Sequence, residues 1–585
     1  MFNAVPTLAQ KPSANKQKLT LTYGDITVTN AGQAVIDTSK RTRSSGSVEL
    51  SGRPLVTFSS GSTGAVYLLE ADNMKGSNLG NGKSEKAILD MSGNFTYNLR
   101  QPIKNVGSGE NVIEGTASRG VFDRAKNLLT LYNANAALTN PNLTSPDKIR
   151  TPKLVVDLSQ TPNVYTMEGA AERNSLTISP GKPKLKPGEK AKKNALSGSL
   201  HLRNFSSGRF QRGDVAHIQG NRTVAEFNNP DNKTEVTLHA NDIKAEFDDP
   251  IDANIKNVAA KGSLRYRLYR PKPEVAKGIP EKQGEQELQG TGYELRYDYE
   301  NRSVSLNGAV DATLKETVQL LEPARLKAES LTFSTEEPFK YELKGSSVES
   351  LVSFRLRPPK LKEAPPAQEP AATEAEPGAT SEAETAKVPK QTFLSGSVTL
   401  TGFETAVFEP GKSVSCNAPN RMNLQLDTKD TETLSVSRVS THEFVAELNA
   451  AGELVTAKTN GSVKFYIQQR KSASKTTSAS TARKRNGKAQ LKPASILSSQ
   501  IVMQSFAGVA SNLVYKGVEQ DLILVGPYET TFTDPELFAA PAVFKGEAGD
   551  TITRQFVKEK LIWDSPNRTS TTEAFPKAPL KKEKP

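Results

Sequence analysis

The side chains that most often carry enzyme chemistry are few in this sequence and lie far apart. The four histidines, His201, His217, His239 and His442, include no His-x-His or His-x-x-x-His pair, the spacings that bring two imidazoles to one metal ion. The one cysteine, Cys416, has no motif around it and can form no disulfide within the chain. These residues predict no metal site, no catalytic thiol and no cofactor.

Two further groups of residues could suggest chemistry or recognition. Asp248 and Asp249 precede Pro250, an arrangement that is typical of a turn rather than of a general acid and base. Arg212-Gly213-Asp214 matches a cell-adhesion tripeptide, but a three-residue match in a polar loop arises easily by chance. We therefore expect a protein that is not an enzyme.

A recurring hairpin pattern indicates the elements around which the chain is organised. In residues 119–133, RGVFDRAKNLLTLYN, an aromatic is followed seven and nine residues later by aliphatic side chains, and the spacing recurs twice. The three sets are Phe122 with Leu129 and Leu131, Tyr297 with Val304 and Leu306, and Tyr515 with Leu522 and Leu524. Fixed odd offsets across a turn keep each side chain on a defined face, so the spacing predicts one β-hairpin built three times.

Two other markers occur in the same order and define three repeat units. Leu-Ser-Gly-Ser opens an alternating strand at Leu196 and at Leu394, and Glu-Leu-Ser-Gly around Leu50 is a weaker relative. A strand led by glycine begins at Gly93, Gly262 and Gly461. The sequence therefore predicts an all-β protein of three β units, 18–180, 196–356 and 392–564.

The remaining segments have few apolar residues and no periodicity, and we expect them to be disordered. Hydrophobic residues make up only 36% of the chain and aromatic residues 6%, low values for one large globule. The predicted disordered segments are the start 1–17, the linkers 181–195 and 357–391, the loop 271–287, the basic loop 471–492 and the tail 565–585.

The positive charge lies in these segments. The net charge is +12, while Lys182–Lys193 carries +5 and Arg470–Lys492 carries +8, so the rest of the chain is close to neutral. A nucleic-acid surface needs a basic stripe interleaved with aromatics on a folded face, and the sequence has none. We expect no nucleic-acid partner and consider anionic headgroups or cell wall as the contacts of the basic loops.

The first residues, MFNAVPTLAQKPSA, end a short apolar stretch in Thr-Leu-Ala, which is similar to the end of a cleaved secretory signal whose beginning is missing. An ordinary disordered start is the alternative. No run of about twenty apolar residues occurs, so no transmembrane helix is predicted. Two segments are ambiguous: QLLEPARLKAES from Gln319 suggests a short turn of helix, and ASILSSQIVMQSFAGVASNL from Ala494 favours strands.

The alternating strand over Tyr293, Leu295, Tyr297 and Tyr299 has one apolar face. Such a face fits the closed core of a β-sandwich, and it fits equally an apolar groove that receives acyl chains. The periodicity leaves both open.

The hairpins resemble the OstA-like (organic solvent tolerance) family, which includes periplasmic lipopolysaccharide-transport proteins. The resemblance lies in an aromatic-Asp turn followed by an apolar-x-apolar strand, as in Phe122-Asp123 and Tyr297-Asp298; the third copy has Lys516 in place of the Asp. It implies a β-jellyroll, folded like a taco, whose inner faces hold lipid acyl chains without cofactor or bond making. It also implies a periplasmic location, lipopolysaccharide or another lipid as cargo, and edge-strand pairing with other β-jellyroll components. The alternative is a structural or surface-interaction protein with closed cores and no lipid cargo.

Period two and the matching offsets predict which residues face inward, and the resemblance makes them candidates for contact with acyl chains. The candidates are Leu129, Leu131, Leu154, Val156, Tyr297, Val304, Leu306, Phe333, Leu522 and Leu524.

Overall fold

The alternating segments of the chain form strands, as their periodicity predicts. The computed structural model describes residues 19–37, 46–59, 64–78, 86–103, 109–181, 198–230, 233–247, 255–271, 285–316, 320–335, 339–346, 349–356, 397–427, 435–449, 454–470, 503–517, 519–535, 537–556 and 560–566. Within them lie 34 β-strands and a 3₁₀ turn at Ala171–Arg173. The all-β class with many antiparallel strands is confirmed. Among these residues no helix has the length and apolar character needed to cross a membrane.

The strands are numbered in chain order. The first thirteen are β1 (Leu19–Tyr23), β2 (Ile26–Ala31), β3 (Gln33–Asp37), β4 (Ser47–Ser51), β5 (Leu55–Ser59), β6 (Val66–Glu70), β7 (Asn73–Ser77), β8 (Ile88–Pro102), β9 (Glu110–Asp123), β10 (Leu128–Thr139), β11 (Asp147–Asp157), β12 (Val164–Glu168) and β13 (Ser175–Ile178). The next ten are β14 (Ser199–Arg203), β15 (Ser207–Gln211), β16 (Val215–Asn229), β17 (Thr234–Phe247), β18 (Ile255–Pro271), β19 (Glu285–Asp298), β20 (Ser303–Glu316), β21 (Leu320–Ser334), β22 (Tyr341–Lys344) and β23 (Leu351–Leu356). The last eleven are β24 (Ser397–Thr401), β25 (Thr405–Glu409), β26 (Ser413–Asp427), β27 (Ser435–Leu448), β28 (Leu454–Asn460), β29 (Val463–Arg470), β30 (Met503–Lys516), β31 (Asp521–Thr533), β32 (Ala542–Gly546), β33 (Thr551–Gln555) and β34 (Lys560–Asp564).

The predicted hairpins are present with the expected register. Phe122 on β9 lies opposite Leu129 on β10, and Tyr515 on β30 lies opposite Leu522 on β31. The corresponding strands of the second copy, β19 and β20, are also paired. In the first and third copies the aromatic and the aliphatic residue at offset seven are therefore direct cross-strand neighbours.

The long strands bend near their middles, where the register between neighbours breaks. Between β8 and β9 the break falls between Ser92 and Phe95, and Gly93 there has a φ of 75°. A Cβ on Gly93 would lie 2.7 Å from Asp72 Oδ2, so both the backbone conformation and the close approach require glycine. Extra residues at such bulges bend a strand. Each long strand therefore has two arms.

We call the half of each strand on the side of the Asp123–Leu128 turn the near arm, and the other half the far arm. In the first part of the chain the two arms face each other, because residues at opposite ends of the strands touch. Gln101, at the far end of β8, donates a hydrogen bond from Nε2 to Thr161 Oγ1 at 3.1 Å. Thr161 lies just beyond the near end of β11, where Asp157 pairs with Leu128. The bent strands thus enclose an interior between their arms.

The order of strand pairing repeats along the chain. The strands that the Leu-Ser-Gly-Ser marker opens, β14 and β24, pair with the far arms of β16 and β26, and β15 and β25 pair with the near arms. In the first repeat unit β4 and β5 together replace one long strand. There β2 pairs with β5, and β3 pairs with β4. The pairing order supports an internal repeat, and the boundaries 18–180, 196–356 and 392–564 stay a prediction.

By compactness the chain divides into two units. The first compact unit comprises Met1–Val310 and Thr332–Glu337, and the second comprises Asp311–Leu331 and Pro338–Pro585. The second predicted repeat unit, 196–356, therefore contributes residues to both.

Stacked aromatic side chains occupy the interior of the first compact unit. The ring of Phe58 lies 4.5 Å from that of Tyr67 and 4.7 Å from that of Phe122, measured between centroids. Phe95, Phe205 and other large side chains here are fully buried. Rings at these separations contribute beyond the area that they bury, and this part of the interior is filled.

The predicted turn of helix from Gln319 is wrong, because Leu320–Ser334 is strand β21. Its inward residues Ala324, Leu326 and Ala328 alternate with exposed ones, so burial of an alternating face outweighs the helix propensity of Leu, Ala and Lys. The strand prediction for the segment from Ala494 is confirmed from Met503 onward. The predicted disordered segments 1–17, 181–195, 271–287, 357–391, 471–492 and 565–585 lie wholly or mostly outside the described residues.

Candidate apolar binding cavity

The second compact unit contains a partly open apolar cavity of about 90 Å³ between the near and far arms. Its lining consists of inward side chains from both arms. They are Phe354, Val398, Phe408, Val414, Leu424, Leu426, Ser437, Val439, Phe444, Ala446, Leu448, Leu454, Ala457, Thr459, Ile467, Leu513, Tyr515 and Leu522. The volume is several times the 10–15 Å³ or so that one water needs, and an apolar lining of this kind accepts apolar ligands.

A row of neighbouring side chains on the near arm explains why space remains here. Val414, Ala446, Ala457, Tyr515 and Leu522 are successive register partners on β26, β27, β28, β30 and β31, and all five line the cavity. Two adjacent members are alanine, whose single methyl leaves unfilled the volume that a leucine or phenylalanine would occupy. The void follows from the side chains that alternation brings to the inward face.

The cavity runs across the strands rather than along one of them. On the near arm its lining extends from β25 to β31 through β26, β27, β28 and β30. Five spacings of about 4.8 Å give a length of roughly 24 Å. The lining is therefore elongated across the strands.

A second, smaller cavity of about 30 Å³ adjoins the first. The two share Phe354, Phe408 and Val414, and the smaller one is also lined by Tyr341 and Cys416. Burial raises the pKa of the Cys416 thiol to about 12, so this side chain behaves as a small apolar group at neutral pH.

The polar groups in the lining are few and uncharged. Thr459 Oγ1 accepts a hydrogen bond from the backbone N–H of Leu513 at 2.9 Å. Ser437 is 2% exposed, and its hydroxyl has no hydrogen-bond partner among the described residues. Burial raises the pKa of Tyr515, which keeps its phenol neutral. The wall can hold an apolar chain and offers no charge for a headgroup.

The structure places the ten predicted site residues in two different compact units. Nine are buried, among them Leu129, Leu131, Leu306 and Leu524, while Val304 is half-buried. Leu522 lines the cavity. The first eight candidates belong to the first compact unit and Leu522 and Leu524 to the second, so the fold does not bring them into one site.

Sequence reasoning missed most of the cavity lining, including Ala446 and Ala457. A signal for these two exists, since both are small residues at inward positions of alternating strands. These two alanines leave an open space only because the register of β27 with β28 places them side by side.

The residues considered for other chemistry have ordinary structural roles. Arg212 of the adhesion-like tripeptide is buried against Asp147, so it is not displayed for recognition. His217 contacts Asp242 at 3.0 Å and His201 contacts Thr177 at 2.8 Å. No group of three or more potential metal ligands occurs among the residues that the structure describes.

No family model matches the sequence, and no curated protein matches it.

Proposed function

We propose that the protein binds lipid without enzymatic activity, as a periplasmic transport protein of the OstA-like type that shields the acyl chains of lipopolysaccharide or another lipid on the way to the outer membrane. The observation that carries the proposal is the apolar cavity in the second compact unit, whose lining crosses six near-arm strands. The lining crosses roughly 24 Å of neighbouring strands, more than the roughly 15 Å hydrocarbon thickness of a membrane leaflet. The free volume of about 90 Å³ takes the end of an acyl chain, and the two arms would part to admit the rest. Each methylene moved from water into the cavity contributes about 0.8 kcal/mol.

The β-jellyroll that the resemblance implies is part of this proposal. Antiparallel strands with two facing arms, in a pairing order that recurs, are the features that support it. No cofactor is needed, because carriage requires burial of the chains rather than bond making.

Edge-strand pairing with other β-jellyroll components is the proposed mode of partner binding. In the part of the chain that the structure describes, β1 pairs with β2 at one end of the pairing order and β34 pairs with β33 at the other. Exposed large apolar side chains concentrate on the terminal elements: Leu19, Val35 and Ile36 near the first, and Leu537, Phe538, Val543, Ile562 and Trp563 near the last. Such terminal strands can add a further strand from a partner.

Photo-crosslinking tests the proposal at two neighbouring positions. A photoreactive amino acid replaces Leu522, which lines the cavity, or Ile523, whose side chain points to the opposite face of β31. We expect lipid to label Leu522 and not Ile523, and native mass spectrometry of the purified protein to show bound lipid. Equal labelling, or none at either position, would contradict the proposal.

A structural or surface-interaction protein is the second candidate. The filled, aromatic-rich interior around Phe58 and Phe122 in the first compact unit favours it. Absence of both lipid labelling and co-purified lipid would support this candidate.

A further inference from the structure

In the first compact unit, polar contacts join the near arm to the far arm at the open ends of the strands. Gln101 bonds to Thr161, and Arg270 Nη1 donates to the carbonyl of Thr335 at 2.9 Å. The third contact is the one most removed from water, between Asp147 and Arg212. Each links the far end of one strand to the near end of another, so the contacts close the interior from the side.

Asp147, Ser179 and Arg212 form what we call the rim clasp. Arg212 Nη1 lies 2.5 Å from Asp147 Oδ2, and Arg212 Nη2 donates to the Ser179 carbonyl at 3.0 Å. The Ser179 N–H donates to Asp147 Oδ1 at 2.7 Å. The side chains of Arg212 and Asp147 are 10% and 1% exposed.

Within the rim clasp, Arg212 contacts two elements with which its own turn has no sheet pairing. Asp147 begins the far arm of β11 and Ser179 follows the far-arm strand β13, whereas Arg212 lies in the near-arm turn between β15 and β16. A buried ion pair contributes little net stability, because desolvation offsets the attraction, but loss of one partner leaves an unpaired buried charge. The arrangement therefore favours one geometry, in which the two arms are held together.

Apolar side chains lie in the interior that the rim clasp borders. Ile149 on β11 is the register partner of Leu176 on β13, and both are fully buried. On the near arm the rings of Tyr165 and Phe210 stack with centroids 5.8 Å apart. These side chains cover one another, so an apolar ligand can reach them only where the two arms part.

We propose that the rim clasp seals the first compact unit against apolar ligands and so restricts acyl-chain binding to the second compact unit. The inference rests on the proposed lipid-binding function. Asp147 and Arg212 are then determinants of where along the chain a lipid is held. In the second compact unit a comparable contact, from Arg554 Nη2 on β33 to Gln504 Oε1 on β30 at 3.1 Å, involves no residue of the cavity lining, which extends from β31 back to β23.

The test uses the full chain and palmitic acid that carries a photoreactive diazirine on its alkyl chain. Labelled peptides are mapped by mass spectrometry in the wild type and in Arg212→Met. The control is Lys153→Met, because Lys153 pairs with Glu168 at 2.7 Å on the neighbouring strands β11 and β12 with both side chains well exposed, so that pair does not cross between arms.

In the wild type we expect labels on the cavity strands β26–β31 and none on β11–β15. Because removal of Arg212 leaves Asp147 as an unpaired buried charge, which favours separation of the arms, Arg212→Met should raise labelling of β11–β15 by at least about tenfold. Lys153→Met should leave the pattern unchanged. Arg212→Lys keeps the charge but loses the two-pronged guanidinium that bonds both Asp147 and Ser179, so its labelling should lie between those of the wild type and Arg212→Met. This variant provides the test if Arg212→Met fails to fold.

Two results would overturn the rim clasp as a seal. One is labelling of β11–β15 in the wild type equal to that of the cavity strands. The other is that neither Arg212 variant is labelled on β11–β15 although its β13 amides exchange faster than those of the wild type. Side-chain packing would then exclude the ligand without the rim clasp. A complete absence of labelling on either compact unit would instead contradict the proposed lipid-binding function.

Discussion

Replacing Ala457 by leucine probes the cavity directly, because this side chain lies in the middle of the row that lines it. Ala457 is 7% exposed and pairs with Ala446 on one side and Tyr515 on the other. Leucine adds three carbon atoms at a place where space is already open. The substitution should therefore fill the void rather than displace its neighbours.

The expected change in stability follows from the area that is buried. Three added carbons contribute about 2.4 kcal/mol at about 0.8 kcal/mol each, and loss of leucine rotamer freedom offsets about 0.5–1 kcal/mol. We expect the free energy of unfolding to rise by about 1.5 kcal/mol. The same atoms occupy space that a ligand would use, so affinity for palmitate should fall by about 50-fold, which corresponds to the same 2.4 kcal/mol.

The matched control is Ala260→Leu in the first compact unit. Ala260 is fully buried and lies between Ile243 and Leu295 in the register of β17, β18 and β19. Because the added carbons overpack this position, Ala260→Leu should lower the free energy of unfolding by about 1–3 kcal/mol. Urea unfolding followed by circular dichroism measures both variants, and calorimetry measures palmitate binding. If Ala457→Leu destabilises the protein as much as Ala260→Leu does, the cavity has no room for a larger side chain. If Ala457→Leu leaves palmitate binding unchanged, palmitate does not bind in this cavity.

Three further outcomes test other parts of the structure. Burial raises the pKa of Cys416 to about 12, and only the thiolate is alkylated. At pH 8 the alkylation of Cys416 should therefore be at least about 1000-fold slower in the native protein than in urea, and its rate should rise about tenfold per pH unit. A rate that does not depend on pH would contradict the raised pKa. Leu306→Asp should lower the free energy of unfolding by several kcal/mol, because it places a charge at a fully buried position. Ser305→Asp, on the other face of β20, should lower it by about 1 kcal/mol or less. Equal shifts of the melting temperature would contradict the assignment of Leu306 to the inward face. Gly93→Ala should destabilise more than Gly461→Ala, because both need a positive φ but a Cβ meets Asp72 only at Gly93; equal losses in urea unfolding would show that the close approach is unimportant.

The sequence by itself determined the fold class and the hairpins. Alternation with period two and offsets of seven and nine residues place Phe122 opposite Leu129 and Tyr515 opposite Leu522, and the structure pairs them so. This information is local, because a hairpin joins residues that are close in sequence and its register is set by the turn. The inward position of Leu129, Leu131 and Leu306 follows from the same periodicity.

Only the tertiary structure decided where the interior is filled and where it is open. The alternation of Phe58 and of Ala457 looks alike in sequence, yet one stacks against Tyr67 and the other leaves a void beside Ala446. The rim clasp likewise joins Asp147 to Arg212, 65 residues away, across two arms that no sheet pairing connects. Packing volume and buried ion pairs depend on side chains that meet from distant segments, and periodicity within one segment holds no information about which residues those are.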